Sequence, residues 1–105
     1  EDLHRPYHLY TTKKHIPKLE AFNNLLILAE AWNTFDGFKP DWENKEQYKW
    51  YPAFKSNDGK LEFSHAGSLR LTLDSHISNF SFKTEERAKQ FGKQFIDLFR
   101  IALTN

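Results

Sequence analysis

The apolar residues of this 105-residue chain change their spacing twice, and that change limits the fold more than any other feature. Leu19, Phe22, Leu25, Leu26, Ala29 and Trp32 recur every three or four positions, the stripe of an amphipathic helix. Ile27 and Leu28 widen the stripe, which predicts burial on more than one side. Pro17 suits a first helical turn, where its missing N–H would be unpaired anyway. Asp36-Gly37 and Lys39-Pro40 stop the helix, so it is predicted over 17–34.

From Tyr48 the period falls to two. Tyr48, Trp50 and Phe54 point one way, and Lys49, Tyr51 and Lys55 point the other. Pro52 cannot donate to a ladder, so this strand belongs at an edge or carries a bulge. Asn57-Asp58-Gly59 offers the positive φ of a tight hairpin. Leu61 and Phe63 alternate in the returning strand, and residues 65–68 predict the next turn. Leu69, Leu71 and Leu73 then alternate with Arg70, Thr72 and Asp74. Residues 77–82 return with Phe80 and Phe82 in phase.

The helical period reappears at the end. Thr84 is an N-cap residue, and Glu85 and Glu86 fall in the first turn, where the helix dipole favours negative charge. Ala88, Phe91, Phe95, Leu98, Phe99 and Ala102 form one stripe. Gly92 weakens it by about 1 kcal/mol but lets the helix approach a neighbour closely. These signals predict an α+β domain: a four-stranded antiparallel meander with two helices packed on one face. The domain covers 17–105 behind an extended N-terminal arm at 1–16.

The totals narrow the function. Without cysteine, the chain has no disulfide, thiolate metal site or cysteine nucleophile. Fifteen basic against fourteen acidic residues favour no class of partner. The longest apolar run, Leu25-Leu26-Ile27-Leu28-Ala29, is too short to cross a bilayer, and no basic-then-apolar leader is visible. No membrane role is therefore expected.

Catalytic and metal-binding signals are absent. His4 and His8 are four apart but have Pro6 between them and no third ligand. His15, His65 and His76 are scattered. Asp41, Glu43 and Glu46 share what the composition predicts to be a solvated acidic loop. Ser64-His65 and Asp74-Ser75-His76 contain triad residue types, but a triad is a matter of geometry across the fold. No catalytic, cofactor-binding or metal-binding residue is assigned, and no cofactor is expected.

What remains is the outward sheet face and one loop ring. Lys49, Tyr51, Lys55 and Arg70, with Lys60, would lie on that face, diluted by Glu62 and Asp74. Cations beside an exposed ring suit a single-stranded nucleic acid, whose bases stack while phosphates meet the cations. They equally suit an edge that resists aggregation. Trp42, in the loop, is either a lid on the core or an interface anchor.

The ordered set PDW (40–42), YKWYPAF (48–54), FKTEERA (82–88) and FGKQFIDLFR (91–100) resembles small uncharacterised proteins carried by phages and prophages of gut bacteria. The resemblance runs from about Phe22 to Leu103. It implies an accessory protein working in the cytoplasm of a bacterial host and brings no activity, cofactor or catalytic residue with it. Phe91 stands where that pattern commonly has a small residue. The leading expectation is a non-catalytic binding module acting through a protein partner or self-association, with Trp42, Lys49, Tyr51, Lys55 and Arg70 as the candidate surface. The alternatives are a single-stranded nucleic-acid binder using the sheet face and an enzyme of unknown type.

Overall fold

A computed structural model describes residues 15–69 and 80–104. The elements run α1 (Ile16–Phe35), β1 (Lys49–Asn57), β2 (Lys60–Leu69), α2 (Glu85–Gln94) and α3 (Ile96–Leu103). The class is α+β, but the four-stranded meander is not what forms. Among the described residues there is one two-stranded antiparallel sheet, with three helices in place of two.

The helix predicted over 17–34 forms, with Pro17 in its first turn. It ends as Asp36-Gly37 suggested. The Phe38 N–H donates to the Asn33 carbonyl at 2.8 Å and the Gly37 N–H to Thr34 at 3.2 Å, with Gly37 at φ +66°. That pair of bonds closes the last turn around a left-handed residue. Ala21, Leu25 and Ala29 are buried, whereas Leu19 and Ile27 are exposed. The buried stripe is thus narrower than the apolar spacing suggested.

The hairpin turns at Asp58 (φ 54°) and Gly59 (φ +79°), both left-handed, so the two-residue connection matches the twist of its strands. No turn interrupts 65–68. β2 runs straight through to Leu69, which pairs with Lys49. What breaks the register is a bulge beside Ser64: Ala53 faces His65, but Phe54 faces Phe63. The extra residue keeps Phe54 and Phe63 on the face that already holds Pro52 and Ala66.

Phe82, the last residue of the predicted fourth strand, pairs elsewhere. Phe82 makes an isolated antiparallel bridge to Trp50, with backbone bonds of 3.0 and 2.7 Å. It therefore lies on the free edge of β1 and not beyond a third strand. Because the Trp50 backbone faces Phe82, Pro52 stands where its missing N–H would also point away from β2. That explains how a proline is tolerated mid-strand. The predicted strand at 69–74 falls beyond Leu69 outside the described residues, as do residues 1–14 of the arm predicted at 1–16, whose last residue, Ile16, opens α1.

The final helix is two helices. Phe95 leaves helical geometry (φ −109°, ψ 28°), which lets α2 seat on both strands while α3 lies along α1. One straight helix could not do both. Around this corner the core is aromatic: Phe82, Phe91 and Phe99 are fully buried, with Leu25, Ala29, Phe80 and Ala88 closing around them. Trp32 packs edge-on against Phe82, Phe91 and Phe95 at 5.1–6.3 Å between centroids.

The start of α2 is as predicted. The Thr84 Oγ1 accepts from the Arg87 N–H at 3.1 Å. Thr84→Ala leaves that N–H without its partner and is expected to lower stability by about 1 kcal/mol in urea denaturation. Thr84→Ser, which keeps the acceptor, is expected to retain most of it.

Candidate interaction surface

The β-period assigns the faces of β1 correctly at Trp50 and Phe54, which pack on the core. Tyr48, expected beside them, is 53% exposed and stacks on Trp50 at 6.4 Å. Lys49, Tyr51 and Lys55 are on the opposite face, but each is in a different environment.

Lys49 is fully buried, which removes it from any exposed platform. An ammonium cannot leave water without replacement partners. Here the loop from 38 to 48 supplies them: Nζ donates to the carbonyls of Gln47 at 3.0 Å and Asn44 at 3.3 Å. The same Nζ lies 4.9 Å from the centre of the Trp42 ring, in cation–π range. Trp42 is thus a lid over Lys49 on the outer side of the sheet, not over the core.

The loop itself is held by polar side chains. The Gln47 amide bridges it, accepting from the Asp41 N–H at 2.7 Å and donating to the Lys39 carbonyl at 3.1 Å. Asp41 Oδ1 accepts from the Glu43 N–H, and Asn44 Oδ1 from the Glu46 N–H. Such bonds from Asp and Asn to the backbone two residues on are turn chemistry, which gives the Asp41 carboxylate a structural use.

Tyr51 is half-buried, because its ring lies over Gly67 directly across the hairpin. A methyl group at Gly67 would stand 2.6 Å from the Tyr51 Cζ. Lys55 is exposed and faces Glu62 across the strands. Arg70 lies outside the described residues. Of the five candidates, the fold brings Trp42 and Lys49 together, keeps Tyr51 and Lys55 on one strand face, and leaves no continuous cationic platform among the described residues.

The histidine and carboxylate signals assemble no catalytic group there either. The Ser64 Oγ is 3.0 Å from the His65 Nδ1, both exposed on the bulge. Among the described residues no three His, Asp or Glu side chains gather to hold a metal. His4, His8 and His76 lie outside them.

A different cluster, not anticipated from the sequence, forms where α1 ends against α2. Arg87 grips Asp36 with two bonds of 2.9 Å and donates to the Gln90 Oε1 at 3.0 Å. The Asp36 hydrogen bonds raise the Arg87 pKa above its ordinary value. It lies 5.1 Å from the Trp32 ring centre and 5.8 Å from that of Phe35. Beside it opens a cleft of about 300 Å³ lined by Asp36, Lys83, Thr84, Glu86, Arg87 and Gln90. Phe35, the last residue of α1, stands 81% exposed beside Arg87.

Spacing concealed Phe35. It falls three residues after Trp32 and so continues the stripe that spacing assigns to the core. The Asp36-Gly37 stop is the one signal against that, because the helix ends before another turn can cover the ring. Compared with family models, with curated proteins and with solved structures, the chain matches none. No helix among the described residues is long and apolar enough to cross a membrane.

Proposed function

We propose that this chain is a non-catalytic binding module whose contact residue is Phe35. The observation that carries the reading is a phenylalanine 81% exposed beside Arg87, whose side chain also lines a cleft. An isolated exposed apolar residue is ordinary. This ring stands instead at the end of α1 near the Arg87 guanidinium, which Asp36 fixes with two bonds. Interface anchors share that combination: a large exposed ring with polar groups around it. The partner is a protein surface with an apolar socket for the ring. The setting implied by the sequence resemblance, a phage accessory protein in the bacterial cytoplasm, is part of the proposal and rests on that resemblance alone.

The test is a photo-reactive phenylalanine analogue at position 35, activated in living bacteria, with the same analogue at the exposed position Glu20 as control. A discrete adduct from position 35 and not from position 20 supports the reading, and its mass separates a second copy from another protein. Phe35→Ser is then expected to weaken binding tenfold or more, about 1.4 kcal/mol or above. It should change folding stability by less than about 1 kcal/mol, because little beyond the contact with Arg87 is lost. Equal crosslinking from both positions, or a Phe35→Ser variant that binds unchanged, overturns it.

A further inference from the structure

We propose that the loop from 38 to 48 is a strap, latched closed by the Lys49 ammonium acting as an internal cation. The strap decides whether Trp42 and Lys49 are withdrawn or presented on the outer sheet face. Lys49 projects from a rigid β-strand, so its position is set by the sheet and not by the loop. Around its Nζ the loop brings two backbone carbonyls, those of Asn44 and Gln47, and the face of Trp42. Those groups are the acceptors an ammonium requires once buried.

Beyond Tyr48, which stacks on Trp50, the tip of the loop is open to solvent. Asp41, Glu43, Asn44, Lys45 and Glu46 are all exposed, and Trp42 is not part of the aromatic core. The internal bonds of the loop shape it, but they do not attach it to the sheet. The loop's backbone contacts from Asn44 and Gln47 converge on one cation. An apolar side chain at position 49 could pack under Trp42, yet it could not draw two carbonyls onto the sheet. The charge therefore specifies the closed geometry, the role best attested for buried polar groups.

The latch predicts a local release. Lys49→Met keeps most of the stem and removes the charge, so the loop should open more often than the domain unfolds. Limited trypsinolysis of the full chain reads this, because Lys45 lies inside the strap and Lys93 lies in α2. Where opening is fast relative to cleavage, the cutting rate follows the population of the open form.

The expected result is a Lys45 cleavage rate raised roughly tenfold in Lys49→Met, with cleavage at Lys93 changed much less. Lys49→Arg, which keeps a charge, should stay closer to the parent. Trp42→Ala should shift Lys45 cleavage the same way by a smaller factor, since the carbonyl bonds remain. Two outcomes overturn the proposal. Unchanged cleavage at Lys45 in Lys49→Met means that the loop closes without the ammonium. Parallel acceleration at Lys45 and Lys93 means that Lys49 supports the whole fold and latches nothing.

Discussion

Phe91→Ala is expected to remove about 3–5 kcal/mol of folding stability, the largest loss that any single truncation in this chain should cause. The Phe91 ring is fully buried and lies within 6.4 Å, centre to centre, of Trp32, Phe80, Phe82, Phe95 and Phe99. Those rings come from α1, from the segment that bridges β1, from the corner at Phe95 and from α3. Removing the ring opens a cavity bordered by all of them. Relaxing any one border strains another, so little of the void can collapse. A domain of this size holds about 5–15 kcal/mol in total, so the variant should keep only part of its margin. Urea denaturation followed by far-UV circular dichroism measures it. Phe91→Leu, which keeps much of the apolar volume, should recover a large share. A loss under about 1 kcal/mol for the alanine variant would mean that the site collapses freely, and the core would not then centre on this ring.

That position illustrates how far the pattern in the sequence reached. Phe91 and Phe99 were assigned to one helical face, and both are buried, because local spacing alone decides which side of a helix turns inward. The break at Phe95 was not visible. It arises because α2 must lie on the sheet and α3 along α1, a tertiary requirement with no local signature. Pro52 was visible as an irregularity, since a missing N–H has to be accommodated somewhere. Its solution, the free edge of β1 with Phe82 bonded to Trp50, depends on a residue thirty-two positions from Trp50 (82 − 50).

The interaction surface was less legible for a similar reason. Alternation placed Lys49, Tyr51 and Lys55 on the outer side of β1 correctly, but side is not exposure. The loop that folds back over Lys49 is held by its own polar side chains, so no apolar pattern announces it. Phe35 failed in the opposite direction: its spacing fits the stripe and its ring is bare. In both cases, what covers a side chain comes from another part of the chain.

The residues carrying the phage-protein resemblance acquire physical roles here. Trp42 of the PDW stretch covers Lys49, Thr84 of FKTEERA caps α2, and Pro52 of YKWYPAF packs against Gly92 of FGKQF. Folding alone can therefore account for much of that motif set.

The contact between Pro52 and Gly92 makes the second large prediction, one that runs against intrinsic propensity. Gly92 lies inside α2, where alanine would ordinarily stabilise a helix by about 1 kcal/mol. Here a Cβ at position 92 would stand 2.8 Å from the Pro52 Cβ and 2.8 Å from the Phe63 Cδ1. Neither can step aside cheaply. The proline ring is fixed in mid-strand, and Phe63 is confined between Phe54 at 6.2 Å and the Lys93 ammonium at 5.5 Å. The helix would have to lift off the sheet, and overpacking of this kind costs about 1–3 kcal/mol. Gly92→Ala is therefore expected to be net destabilising by up to roughly 2 kcal/mol, the difference between the steric cost and the propensity gain. Urea denaturation of this variant beside the double variant Gly92→Ala, Phe63→Ala separates the two contributions. If the clash with Phe63 sets the sign, the added methyl should cost less on the Phe63→Ala background than on the parent. If Gly92→Ala stabilises the parent chain, α2 does not seat on the strands as closely as these distances require.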